Sequence, residues 1–310
     1  MLKNKALVLA KIETVYGTDP TPTGAANAIL CGNVEYDVTE AKLERNNIKT
    51  SFGAKRFVVV GEGQKLSFEV EIKGSGAAGT APELGTLLRA CGFTMTTSAG
   101  VSNTFTPNSA GSAAESATLY YYIDGMVHKI TGARGSVSLA NAKVNQYALL
   151  KFDFYGIYAG PATLALATGT FNATVPPVFR SAAFLIDSYA AVTDSLSIDI
   201  KNDVVKRADI NSATGTLEWF IKERTVSGKF TPEMVLPATK DFWTMWSGGS
   251  AYALTATIGA TAGNRCVITA PAVQIDKPKY GERENILTAE MGLVFTPTSA
   301  GNDEIILTFN

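Results

Sequence analysis

The stretch "LLKFDFYGIY" (149–158) alternates apolar and polar side chains with a period of two. In an extended chain successive side chains point to opposite faces. Leu150, Phe152, Phe154, Gly156 and Tyr158 therefore share one face, and Lys151, Asp153, Tyr155 and Ile157 share the other. That segregation suits a sheet with one buried face. The same habit recurs in "VEYDV" (34–38), "RFVVV" (56–60), "KLSFEVEI" (65–72), "TLYYYID" (118–124) and "GSVSL" (135–139). It continues in "LSIDIK" (196–201), "GTLEWFIKE" (215–223), "VSGKFTPEMVL" (226–236), "YALTATIG" (252–259), "RCVITAPAVQI" (265–275) and "ILTAEMGLVFTP" (286–297). The chain is mainly β. Only two short helices are predicted, over 82–91 and 238–246, with Pro82 suited to a first helical position and Gly92 to a stop.

An internal duplication organises these strands. "VEYDVTE" (34–40) lies over "LSIDIKN" (196–202), and "QKLSFEVEI" (64–72) over "GKFTPEMVL" (228–236). A short helix follows in each copy. Then "HKITGARGSVSL" (128–139) lies over "RCVITAPAVQI" (265–275), and "LLKFDFYGIY" (149–158) over "ILTAEMGLVF" (286–295), with Asp153 over Glu290. The offsets run 162, 164 and then about 137, so the first copy carries an insertion between its helix and its late strands. The expected organisation is an N-terminal arm (1–28), a first domain (29–159), a linker or surface-lying connector (160–182) and a second domain (183–310).

The segment "GSGAAGT" (74–80) contains a literal G-x-G-x-x-G between a strand and a helix. A dinucleotide turn needs a buried parallel strand before it and an acidic residue about 20 positions on. Here the strand alternates, no Asp or Glu lies between Glu83 and Glu115, and no alternating βαβα run follows. The matching second-copy link, "VLPATKDFW" (235–243), has no glycine pattern. The glycines read as a permissive connection, and no cofactor is expected.

Other chemistry is equally sparse. With 27 basic and 28 acidic residues the formal net charge is −1, which offers no basic face for a polyanion. Cys31, Cys91 and Cys266 are scattered and lack metal spacing, so they read as reduced thiols. His128 stands alone at a strand start after a predicted hairpin turn at Asp124-Gly125 and reads as structural. No catalytic, cofactor or metal residue is expected. Trp243 and Trp246, three apart beside Phe242, read as core or interface. "ALVLA" (6–10) is too short for a secretion signal, and no apolar run approaches the ~18 residues of a membrane span. A soluble chain without export signal or membrane insertion is expected.

The opening "LVLAKIETVYGTDPTPTGAANAIL" (7–30), followed by a strand and a long charged loop, resembles the major tail proteins of long-tailed, siphovirus-like bacteriophages. "KIETVYGTDPTPT" (11–23) is the most specific piece, and the remainder matches in organisation over nearly the whole chain. The resemblance implies tail-tube-type β-sandwich or barrel domains, each flanked by a short helix. It implies rings of six such domains that stack through a long loop, with an arm that bridges neighbours. Two candidate domains per chain then imply three chains per ring, a homo-oligomer of stacked trimeric rings assembled in the host cytoplasm as part of the virion tail. Its partners would be the tape-measure, tail terminator and distal tail proteins, with genomic DNA passing through the channel without specific binding. The interface candidates lie in the two charged loops: Glu40, Lys42, Glu44, Arg45, Lys49, Lys55 and Arg56 in the first, and Asp203, Lys206, Arg207 and Asp209 in the second. A β-rich virion decoration or receptor-contact module is the alternative. An enzyme is held back by the lack of any triad, metal set or cofactor turn.

Overall fold

Period-two alternation becomes antiparallel pairing along almost the whole chain. The computed structural model describes residues 2, 4–180 and 182–310. The first half holds β1 (Ala6–Ile12), α1 (Gly24–Asn27), β2 (Ala28–Ile29), β3 (Cys31–Glu44), β4 (Phe57–Glu71), α2 (Gly85–Ala90), β5 (Phe93–Ser98), β6 (Ser102–Pro107), β7 (Ala117–Ile123), β8 (Met126–Lys143) and β9 (Leu149–Ile157). A connector bears β10 (Ala162–Thr163). The second half holds β11 (Leu185–Ile186), β12 (Thr193–Asp199), β13 (Asn202–Ala208), β14 (Thr216–Arg224), β15 (Ser227–Pro232), α3 (Phe242–Ser247), β16 (Tyr252–Ile258), β17 (Cys266–Arg283), β18 (Ile286–Phe295) and β19 (Ile306–Phe309).

The two halves pair their strands in the same order. In the first, β3 pairs with β4, β4 with β9, β9 with β8, β8 with β7 and β7 with β1. In the second, β12 pairs with β15, β15 with β18, β18 with β17, β17 with β16 and β16 with β11. The β5–β6 hairpin has no counterpart between α3 and β16, and the spacing between matched segments shortens across it. Turn chemistry agrees locally. Asp124-Gly125 closes β7–β8 and Glu284-Asn285 closes β17–β18, each with both residues at positive φ, as two-residue hairpin turns require.

The halves are also joined. β12 adds to β8 through Leu196↔Ala142, Ile198↔Leu139 and Asp199↔Ser138, and β19 adds to β6 through Leu307↔Phe105. A continuous run β3-β4-β9-β8-β12-β15-β18-β17 results, four strands from each half. Segments 29–159 and 183–310 share one apolar core, which runs from Val8 to Phe309. At its centre Phe68 meets Phe152 and Phe154, with ring centroids 6.0 and 5.9 Å apart. Burying each such ring stabilises the fold by about 1.5–3 kcal/mol.

The segment expected as an arm packs on its own chain. β1 pairs with β7 from Ala6↔Ile123 to Ile12↔Ala117, and Leu7 through Ala10 are buried. Met1 and Lys3 lie outside the described residues. The connector crosses the outer face of β1 and β7, where Ala167 packs with Leu7, Leu9, Tyr120 and Tyr122. Ser181 within it lies outside the described residues.

Both helices begin later than the sequence pattern suggests. Pro82 lies in the turn before α2, its carbonyl taking the Gly85 N–H. α3 starts at Phe242 because the Asp241 carboxylate accepts the N–H groups of Trp243 and Thr244 at 3.0 and 2.9 Å. The glycine segment is a seam between the halves. Gly74 N–H donates to Asn264 Oδ1 and Gly76 N–H to the Gly263 carbonyl. A Cβ on Gly74 would lie 2.0 Å from that carbonyl oxygen. Gly74→Ala is therefore expected to destabilise the chain by about 1–3 kcal/mol, read as a lower denaturation midpoint. Gly32→Ala, which meets nothing within 4 Å, is expected to leave the midpoint within about 0.5 kcal/mol.

His128 is buried beside Tyr36, with ring centroids 4.2 Å apart, and its Nδ1 has no hydrogen-bond partner among the described residues. Burial pushes its imidazole below the ordinary value of 6.5. The unfolded chain then binds a proton at a pH where the folded chain does not. The neutral-His contribution is fully present above 6.5 and is lost as pH falls towards the depressed folded value. Asp19 and Asp153, held below their ordinary 3.8, lose their contributions only at more acid pH. Stability of the chain should therefore decline as pH falls below the ordinary imidazole value of 6.5, and His128→Phe should flatten that decline. An unchanged slope in denaturation curves would remove His128 from this account.

Candidate assembly interface

Two long hairpins carry the charged loops, and their registers coincide. β3 and β4 pair Lys42 with Val59, Leu43 with Val58 and Glu44 with Phe57. β13 and β14 pair Val204 with Ile221, Val205 with Phe220 and Lys206 with Trp219. Each pair is displaced by the same 162 positions. Their surroundings differ. Residues of the first hairpin beyond Glu40 project from the body with nearly every described side chain exposed. The second hairpin lies across β8 and β9 of the first half.

The first-loop candidates accordingly make few contacts. Glu40 and Lys42 form an exposed ion pair at 3.0 Å, and the Lys42 ammonium lies 4.9 Å from the Phe57 ring centre. Such a surface pair is worth about 0–1 kcal/mol. Glu44, Arg45, Lys49, Lys55 and Arg56 are exposed and form no ion pair among the described residues. Ile48 and Phe52, at the tip, are fully exposed. The second-loop candidates are tied down. Lys206 Nζ donates to the Gly61 carbonyl at 2.8 Å, which bridges the two hairpins. Arg207 pairs with Glu218 at 3.1 Å and Asp203 with Lys222 at 3.7 Å, while Asp209 accepts the Asn211 N–H within its turn. The charged residues are therefore two groups with different surroundings.

What holds the second hairpin in place carried no local sequence signal. Arg134 on β8 is buried and donates to the carbonyls of Ser112, Ala114 and Trp219 as well as to Glu218. The Tyr16 ring lies 4.9 Å from its guanidinium, and the Tyr16 hydroxyl oxygen accepts the Trp219 N–H at 2.7 Å. Burial pushes that phenol up to about 12, so it remains protonated. Trp219 stacks on Tyr155 with centroids 5.4 Å apart. Removing one partner of a buried ion pair costs roughly 3–5 kcal/mol, so this joint is fixed once the chain folds.

The outward face of the eight-strand run is polar and mostly acidic. Register places Glu35, Asp37, Glu69, Asp153, Asp199, Asp276 and Glu290 there, against Lys65, Lys151, Lys229 and Lys279. Several are neutralised in place: Lys65 meets Asp153 at 3.1 Å and Lys229 meets Glu290 at 3.0 Å. Burial works against the charge on Asp153, but the Ser67 hydroxyl and Lys65 hold its carboxyl below the usual range.

Among the described residues, no group of three or more His, Cys, Asp or Glu side chains is placed to hold a metal ion. Burial pushes Cys31 and Cys266 up to about 12 and raises Cys91 as well, which suppresses thiolate chemistry. A groove of about 530 Å³ runs beside Ile221, Arg224, Phe295 and Glu304, and its Arg224 and Glu304 pair with one another. The Gly74–Gly79 segment presents its N–H groups to the second half of the chain, at Asn264 and Gly263. No helix among the described residues is long and apolar enough to cross a membrane.

No curated protein matches the sequence. The family model described as phage tail tube protein matches residues 3–309. That match covers nearly the whole chain, and the mainly β architecture with few short helices agrees with it. The family is one of structural virion components that assemble into a tube with other tail proteins. The chain belongs to the phage tail tube protein family.

Proposed function

We propose that three copies of this chain close a ring of six pseudo-equivalent units, and that such rings stack into the tail tube. The observation that carries the reading is the β8–β12 pairing inside one chain. It joins two units that share one strand order, and each end of the eight-strand run keeps the matching open edge. β12 lies between β15 and β8, whereas its counterpart β3 pairs with β4 alone among the described residues. β8 takes β12 on the edge that β7 vacates, and β17 has a corresponding edge beyond Val273, where β16 stops. Exposed strand edges are templates for further pairing. A heterologous contact of this kind closes a ring when its rotation allows. The β3 edge of one copy then meets the β17 edge of the next.

In such a ring the outward face of the eight-strand run lines the channel. Its excess of carboxylates repels passing DNA, and the paired lysines moderate that field. The same channel holds the tape measure during assembly in the host cytoplasm, and the terminator and distal tail proteins cap the ends. The outer face of β1 and β7, covered by the connector, forms the exterior. The hairpin tips reach along the axis to the next ring, with Ile48 and Ile210 at matching positions, both fully exposed. The chain carries no enzymatic activity in this role.

Electron micrographs of the purified protein should show rings or tubes. The mass of an isolated ring should be three times 32.8 kDa; a ring of six chains would overturn the stoichiometry. A stable monomer that binds cells or glycans would favour the decoration module instead. Reversal of Lys42, Arg45 and Lys49 to Glu should leave folded subunits that build no long tubes. Unchanged tube length would remove the first loop from ring stacking.

A further inference from the structure

We infer that the root of the first hairpin docks on the second half of a neighbouring copy, as the second hairpin docks on the first half of its own chain. This rests on the three-chain ring proposed above and adds a contact that strand pairing alone does not require. The coincident registers place Phe57 where the second hairpin has Trp219, and Val59 where it has Ile221. Trp219 and Ile221 are 8% and 9% exposed, covered within the chain, whereas Phe57 and Val59 are 50% and 37% exposed. Leu43 and Val58 pair on the other face of the hairpin and are exposed as well. Phe57 and Val59 thus stand uncovered at positions whose counterparts are buried.

The receiving surface follows from the same correspondence. Trp219 lands on Tyr155, which pairs with Lys65 on one side and Arg134 on the other. In the second half Val294 pairs with Ser227 on one side and Gln274 on the other. Since Lys65 lies opposite Asp37 and Ser227 opposite Asp199, Val294 is the counterpart of Tyr155 and Gln274 that of Arg134. A second observation supports this independently. Arg134 donates to the Ala114 carbonyl, just before β7, and Gln274 Nε2 donates to the Gly249 carbonyl, just before β16. Val294 is 39% exposed, an apolar platform ready for Phe57. The occupant is a second copy of this chain, because the hairpin that fits the platform is the chain's own and projects away from it.

Electrostatics distinguish the two joints. The internal one encloses the Arg134–Glu218 ion pair. At the matching positions between chains, Arg56 meets the neutral Gln274, so the joint encloses no ion pair and Arg56, exposed in the single chain, keeps its guanidinium in water at the rim.

The test uses the full chain with Phe57→Cys and Val294→Cys together and a short bis-maleimide cross-linker. The native thiols, suppressed by burial, leave the new pair as the reactive one. Assembled rings should give covalent dimers and trimers, with no species beyond three chains, and neither single substitution should give any. Three-chain rings that show no cross-link would overturn the docking and leave the ring intact. A ladder ending at six would keep the contact and remove the three-chain reading. Cross-linking confined to monomers would overturn the docking. Separately, Phe57→Glu should leave the subunit's melting midpoint unchanged and abolish ring formation; rings that persist would count against the contact.

Discussion

The arrangement depends on one strand changing partners halfway along its length. β8 runs 18 residues, pairing with β7 at its start and with β9 and β12 at its end. The change happens at the bulge between Thr131 and Arg134. Gly132 sits there at φ 61°, where a side chain would be strained and where a Cβ would lie 2.5 Å from the Tyr16 ring. The bulge turns the strand away from β7, leaves an edge for β12, and aims Arg134 into the space beneath the second hairpin. One local irregularity thereby sets the sheet that crosses both halves, the buried joint, and the orientation of one unit against the next.

Much of this was legible from residues whose periodicity reports burial directly. "LLKFDFYGIY" gave β9 with its faces correctly assigned, and "TLYYYID" gave β7 with its turn at Asp124-Gly125. β7 is buried on both faces and was declared by its aromatic and β-branched residues, not by alternation. "ALVLA" opens β1, but a short continuous apolar run carries no alternation to declare it. The β5–β6 hairpin, rich in Thr and Ser, also escaped. The matched segments were placed two residues out of register at one point. Pairing puts Gly292 where Asp153 stands in the first half, and the sequence match put Glu290 there. A shift of two keeps the same face, so the apolar pattern could not detect it.

The interface was legible only in part because charge patterns report solvent exposure and say little about docking. The charged segments read as loops, but Glu40, Lys42 and Glu44 lie in β3 and Asp203, Lys206 and Arg207 in β13, and the two hairpins differ: one projects and the other is clamped. The clamp consists of Arg134, Glu218, Trp219 and Tyr16, which lie on three distant stretches of sequence. Each alone reads as an ordinary strand or loop residue. Only the tertiary arrangement brings them together, and only then does the difference between Trp219 covered and Phe57 uncovered acquire meaning.

Joining two units in one chain changes which contacts must form by encounter. In the proposed three-chain ring, half of the six joints would be intramolecular and would form at a high effective concentration set by the connector. Those joints can carry a buried ion pair, since its desolvation is met once, during folding. The remaining joints of that ring would have to form reversibly and in register, from complementary apolar surface and open strand edges. Such edges also invite wrong pairing. The β17 edge bears Lys277, Lys279, Glu282 and Arg283 with Pro278 among them, the kind of residues that keep an exposed edge from pairing indiscriminately. In the proposed contact, a neighbour that seats Phe57 on Val294 would bring its β3 edge alongside at the same time, so the hairpin would supply the register that a guarded edge does not provide by itself.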